Sequence, residues 1–207
     1  MNIVVFGAGG RAGRRAVAEA RRRGHQVTAV VRDPAGHSGL NDVRVVAGDV
    51  TDPVSVEHAA AGHDAAISAA VDLSVSPHDF FTASARALTG GLAKAGVPRL
   101  VVVGLASIMP GASGVPLMDE PGYPDEYRAF YLGHAAGLDE LQACDLDWVY
   151  VAPAGDFDHD GTRIGRYRVA DHGDPVSRIT YADFAIALLD ELETPRHHRA
   201  AISVREA

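Results

Sequence analysis

The chain has 207 residues, of which 47% are hydrophobic and 22% charged, with a formal net charge of -8. That length suits one globular domain with a substantial core, and the acidic balance excludes nucleic acid or an anionic membrane as the main partner, because both need a concentrated basic surface. A lone cysteine, Cys144, excludes an internal disulfide and any cysteine-rich metal site.

The first predicted element is a strand, IVVF at 3 to 6, and GAGGRAG follows it at once, placing glycines at 7, 9, 10 and 13. An alanine- and arginine-rich helix is expected over 11 to 23. Its closing run, Arg21, Arg22 and Arg23, is the only dense basic stretch and reads as a solvated helix end favoured by the dipole. Strands follow at VTAVV (27 to 31) and VRVVA (43 to 47), then a helix from Pro53, after Asp52, to about 61. Next come a strand in DAAISAA (64 to 70), a helix over 77 to 95, and a strand in RLVVVGLA (99 to 106). A helix over about 125 to 143 precedes the strand DWVYVA at 147 to 152. Unbroken β-branched runs without polar alternation are what strands look like when helices cover both faces of a parallel sheet. The succession is βαβ throughout, so the expected fold is a doubly wound, Rossmann-like α/β domain spanning 1 to 207. Residues 153 to 180, with Gly155, Gly161, Gly165 and Gly173 among polar residues, read as a loop-rich cap over the carboxyl edge of the sheet and the ligand cleft. A helix near 181 to 193 and a short strand, AISV at 201 to 204, complete the pattern.

No apolar stretch approaches the roughly 18 residues of a membrane span. The N-terminus opens into a strand and not into a basic leader with an apolar core. A soluble cytoplasmic protein, monomer or small homo-oligomer, is the expectation.

The glycine-rich turn carries the first functional signal. After a strand and before a helix, Gly7, Gly9, Gly10 and Gly13 allow a tight turn, backbone approach to a pyrophosphate and close helix packing. Arg11 and Ala12 fall where the helix N-terminus offers amide donors and a positive dipole. The second strand ends in VVRDP. A carboxylate at that place suits the ribose hydroxyls of NAD, and an arginine suits a 2′-phosphate. Arg32 occupies it, so NADP(H) is favoured over NAD(H), with Arg11 as a second positive charge. Asp33 is adjacent and could begin a turn with Pro34.

With these residues in place the chain resembles the atypical short-chain dehydrogenase/reductases, specifically a small NAD(P)H-binding group designated NADH-flavin reductases and related to biliverdin reductase B. The resemblance runs through GAGGRAG, RRRGHQVTAVVRDP, VVAGDVTDPVSV, VVVGLASIMPG, LDWVYVAPAG, TRIGRYR and ITYADFAIALLDELETPRH. It implies that Asp49 and Val50 border the adenine, and that Ala69 and Ala70 line the adenosine side and the path to the nicotinamide. It further implies that Ser107 stands near the nicotinamide and that Pro153 and the residues after it form the far wall.

Better-known members of the superfamily carry Tyr-x-x-x-Lys on the helix before the sixth strand, where the lysine lowers the tyrosine pKa and the tyrosine protonates a carbonyl oxygen. Counting back from LDW, the lysine position falls on His134 and the tyrosine position on Phe130, so both groups are missing. Tyr131 is one residue off, about 100° around the helix, and Tyr127 also lacks the spacing. His134 reads either as a partly buried helix histidine or as a group at the substrate edge that positions a ligand or relays a proton. Hydride transfer without the pair suits an extended conjugated acceptor, which delocalises developing charge and needs placement more than a strong acid.

Other constellations are weaker. DFDHDG places Asp156, Asp158 and Asp160 in the first half of a calcium loop, but Tyr167 stands where a bidentate glutamate belongs. His197 and His198 are adjacent and lack further ligands nearby, and Ser107 lacks a hydrolase elbow. The expected function is therefore an NADPH-dependent reductase passing hydride to a flavin, a quinone or a similar planar molecule, with flavin a substrate and not a prosthetic group, no metal, and Ser107 and His134 as candidate catalytic contacts. The alternatives are an NADP(H)-binding redox sensor without turnover, and a tailoring reductase or isomerase for one metabolite.

Overall fold

The computed structural model describes residues 1–40 and 42–207. Its strands are β1 (Asn2–Phe6), β2 (Gln26–Val31), β3 (Arg44–Ala47), β4 (Ala65–Ser68), β5 (Arg99–Val103), β6 (Asp147–Pro153), β7 (Asp156–Asp158), β8 (Arg168–Ala170), β9 (Arg178–Thr180) and β10 (Ala200–Arg205). The α-helices are α1 (Arg11–Arg22), α2 (Pro53–Ala60), α3 (Pro77–Ala95), α4 (Arg128–Gln142) and α5 (Tyr181–Glu193). Eight strands share one sheet in the order β3-β2-β1-β4-β5-β6-β10-β8. Every pairing in it is parallel except that of β10 with β8.

Successive side chains of a strand point to opposite faces, and β1 shows the result. Ile3 and Val5 join α1 and α5 in one core, with Val17, Phe184 and Leu188. Val4 and Phe6 join the other, with Val56 of α2, Leu88 and Leu92 of α3 and Leu141 of α4. Both faces of the central strands are buried, which is why their sequences read as continuous apolar runs. The fold is the doubly wound α/β arrangement expected.

Helix starts follow their capping residues. Asp52 accepts the Val54 amide ahead of Pro53, and Thr180 Oγ1 accepts the Asp183 amide at 3.0 Å. The helix expected from about 125 begins at Arg128 instead, with Tyr127 at its N-cap and no side-chain cap. The strand expected to run to 106 stops at Val103, and Gly104 follows, packed so close to the Tyr150 ring that a Cβ there would lie 2.2 Å from it.

Residues 153–180 carry three short strands that their polar, glycine-broken sequence does not announce. β8 extends the main sheet as an antiparallel edge, and β7 pairs with β9 in a separate ladder. Side-chain carboxylates supply much of the order here. Buried Asp183 accepts the amides of Ile164 and Gly165 and the Thr180 hydroxyl. Glu19, 4% exposed, takes Arg22 and Arg23 from its own helix and Arg163 from this segment. Burial raises the Glu19 pKa, but those arginines outweigh it and hold the carboxyl at about 2.

Candidate functional site

The strand order reverses at β1, which has β2 on one side and β4 on the other. At such a switch point the carboxyl ends of neighbouring strands lead to opposite faces, leaving a crevice between them. Here the crevice is a cleft of about 630 Å³ lined by Gly7, Gly9 and Gly10 after β1, by Val30 to Arg32 of β2 and its exit, by Gly48 to Thr51, and by Ala69 to Asp72 after β4.

The glycines are required by geometry. Gly7 has φ of 72°, and a Cβ on it would lie 2.5 Å from the backbone of Ala70. A Cβ on Gly13 would lie 2.2 Å from the Gly7 carbonyl oxygen, so α1 can press onto the turn only with glycine there. Gly10 caps α1 without any side-chain hydrogen bond, and the first turn holds no acidic residue. The amides of Arg11, Ala12 and Gly13 therefore keep the unpaired donors and positive dipole end that receive an anion. A glycine cradle, an uncapped helix start and a cleft of this volume fit a dinucleotide with its pyrophosphate at α1.

Around the cleft, Arg32 is exposed and ion-paired with Asp72. Asp33 is occupied locally, accepting the Ala35 amide at 3.0 Å in the turn with Pro34. Asp49 lines the cleft while its Oδ1 accepts the amide and hydroxyl of Thr51, and Val50 beside it is buried. Ala69 and Ala70 form the opposite wall. His37 also lines the cleft, packed over Gly9, and its Nδ1 is buried without a partner among the described residues.

Arg11 does not line this cleft. Its Nη1 donates to His159 Nδ1 at 2.8 Å, and with Arg14, Arg15, Asp160 and Tyr181 it borders a separate hollow where the segment after β7 meets the start of α1. Ala12 sits in the first turn of α1, and Pro153 is buried at the end of β6, paired with Val204 of β10.

The β5 exit holds a second polar group. Ser107, 3% exposed, stands 3.0 Å from the Tyr123 hydroxyl, and the Tyr123 ring packs edge-on against Tyr131 of α4. Burial, with Tyr123 nearby, pushes the Tyr131 phenol up, so it is protonated at neutral pH.

His134 lies inside the α3–α4 layer, its ring 3.8 Å from that of Phe81 and near Phe130. Burial lowers its pKa to about 3, so the imidazole is neutral. The Leu105 amide donates to Tyr150 Oη at 2.9 Å, and the same hydroxyl is hydrogen-bonded to His134 Nδ1 at 2.9 Å. Tyr150, fully buried, also has its phenol pushed up. His134 lines a small cavity of about 30 Å³, the space of one water, which shares Ala70 with the large cleft.

The remaining motifs are absorbed locally. Asp158 accepts the amides of Asp160 and Gly161; His197 bonds Glu191 and His198 bonds Asp147. Among the described residues no cluster of three His, Cys, Asp or Glu could hold a metal ion, and no helix is long and apolar enough to cross a membrane. Sequence reasoning missed His37, Asp72 and Tyr123. His37 follows the Asp33-Pro34 turn and Asp72 follows the fourth strand, positions that point to the cleft once the strand order is known; nothing local marks Tyr123.

A glycine cradle at the switch point of a parallel sheet defines a nucleotide-binding protein of the Rossmann type, in an atypical short-chain dehydrogenase/reductase-like group. Residues 7–195 match the profile of the NAD(P)H-binding family, and the chain belongs to that family. It is 36% identical over 214 residues to the uncharacterized protein YwnB of Bacillus subtilis (strain 168), covering 99% of this chain and 98% of that one. Among solved structures it resembles one from Streptococcus pneumoniae TIGR4, provisionally named an NADH-flavin reductase, at 32% identity and a TM-score of 0.86 over 100% of both chains. A second, from Burkholderia pseudomallei and provisionally named an exported protein, is 38% identical with a TM-score of 0.85 over 99% of both chains.

Proposed function

We propose that the protein is an NADPH-dependent reductase whose acceptor is a flavin, a quinone or a similar planar conjugated molecule. The observation that carries this reading is the cleft itself, in which an uncapped helix start, a glycine-rich turn and Arg32 surround one hollow. Gly7, Gly9, Gly10 and Gly13 with the amides of Arg11 and Ala12 take the pyrophosphate; Arg32 takes the 2′-phosphate; Asp49, Val50, Ala69 and Ala70 border the adenosine, and Pro153 backs the far end. When bound, the reduced nicotinamide supplies a hydride, two electrons with one proton. The resemblance to the named S. pneumoniae protein supports a flavin-like acceptor.

Ser107 and Tyr123 form the hydroxyl pair at the exit of β5, one strand along from the cleft wall. In this reading Tyr123 gives the acceptor the one proton that balances the hydride, at a quinone oxygen or a flavin ring nitrogen, Ser107 holds the phenol, and water returns the proton afterwards. His134 acts at a distance. Neutral and bonded to Tyr150, it holds the hydroxyl that anchors the Leu105 amide, and so sets where Ser107 stands. The whole chain works as one cofactor-binding unit in the cytoplasm, as a monomer or small homo-oligomer, with 153–180 as the cap over its cofactor and substrate cleft.

A sensor that binds NADP(H) without turnover is the second reading, favoured by Phe130 and His134 at the places of the tyrosine and lysine. Purified protein titrated with NADPH and NADH, then followed by nicotinamide absorbance with FMN, a quinone or no acceptor, separates the two. Acceptor-dependent NADPH oxidation supports the reductase; tight binding with no acceptor reduced across a broad panel refutes it.

A further inference from the structure

The geometry points to Asp72 as the residue that sets the choice between NADPH and NADH, by competing with the 2′-phosphate for Arg32. This rests on the cleft being an NAD(P)H site. Both residues line the cleft, Arg32 from the end of β2 and Asp72 from the loop after β4. The two partners are unequally held. Asp72 is 14% exposed and its Oδ1 accepts both the amide and the hydroxyl of Ser74, at 2.9 and 2.6 Å, leaving Oδ2 for the guanidinium. Arg32 is 69% exposed and free to swing on its long stem. The carboxylate is thus the fixed charge and the arginine the mobile one. The Ser74 hydrogen bonds, with Arg32, hold the Asp72 carboxyl below the usual range, so it is ionised at neutral pH.

The neighbouring carboxylates are otherwise engaged, Asp33 by Ala35 and Asp49 by Thr51, so Asp72 is the acid that holds this cation. A nucleotide with a 2′-phosphate must draw Arg32 away from Asp72 and then sit near its fixed negative charge. A nucleotide with a free 2′-hydroxyl meets no such opposition. Arg32 supplies the preference for NADPH and Asp72 limits it, a device that leaves NADH usable.

The test uses Asp72→Asn, which keeps the shape and an acceptor for Ser74 while removing the charge. Dissociation constants for NADPH and NADH come from nicotinamide fluorescence, and calorimetry with adenosine 2′,5′-bisphosphate and with AMP reports on the adenosine corner alone. Asp72→Asn is expected to tighten NADPH and the bisphosphate about fivefold, the scale of an exposed ion pair, with NADH and AMP changed less than about twofold. In an Arg32→Ala background the same substitution is expected to lose most of its effect on NADPH, the mark of coupling through the arginine. Unchanged or weaker NADPH binding by a variant of wild-type melting temperature overturns the inference, as does equal tightening of both nucleotides. If the wild type binds neither nucleotide, the cofactor reading itself fails, a result distinct from both.

Discussion

His134 offers the sharpest physical test, because its burial turns pH into a probe of packing. In the folded chain the imidazole is neutral with its pKa lowered to about 3, while in the unfolded chain it titrates near its ordinary 6.5. Between those values the unfolded state binds a proton that the folded state refuses, so the contribution of this residue is complete above pH 6.5 and is lost as pH falls toward 3. The loss amounts to about 2 kcal/mol by pH 5 relative to neutral, from the linkage relation for one site. Other groups titrate in the same range, so the measurement is a difference. Urea unfolding of the wild type and of His134→Gln, which keeps an acceptor for Tyr150 but carries no proton, is compared from about pH 8 to pH 5. The gap between the two is expected to be constant above pH 6.5 and to shift by about 2 kcal/mol in favour of the glutamine variant by pH 5. A constant gap throughout would refute the reasoning, since His134 would then be accepting its proton in the folded state and could not be sealed behind Phe81.

Three further outcomes follow from the same structure. Gly7→Ala puts a methyl 2.5 Å from the Ala70 backbone at a positive φ, and is expected to destabilise by roughly 2 to 4 kcal/mol in thermal melts; a melting temperature within error of wild type would mean the turn is looser than described. Glu19→Gln removes a carboxyl held at about 2 against 4.5 in the free group, at a cost on the order of 3 kcal/mol near neutral pH. The deficit relative to wild type should shrink as pH falls from 4.5 toward 2, and a deficit independent of pH would show that the arginines are not what lowers its pKa. Tyr123→Phe is expected to lower kcat at least about tenfold with a quinone while NADPH affinity changes less than about twofold. Full activity in that variant would remove the tyrosine from the proposed proton route.

Much of the cleft is legible in the chain. The glycines at 7, 9, 10 and 13, and Arg32 at the second strand end, are found by spacing because the turn and the helix start are local structures. The same logic fails for the β5 exit. Ser107 and Tyr123 are separated by 16 positions of irregular chain and meet only because that loop folds back. Arg11 illustrates a different limit, since periodicity places it at the start of α1 but not beside His159, which arrives from far along the chain.

By itself, then, the order of apolar runs, glycines and helical segments determined a doubly wound parallel sheet with a nucleotide-shaped turn at its first strand, because alternation, capping and turn chemistry act between near neighbours. Which charges oppose one another across the cleft was decided by the tertiary structure alone. Arg32 meets Asp72 because β2 and β4, distant in sequence, flank β1, and His134 of α4 meets Tyr150 of β6 in a buried layer that strips water from the imidazole. Electrostatics of that kind depends on distance and desolvation in space, neither of which is written in the spacing of residues along the chain.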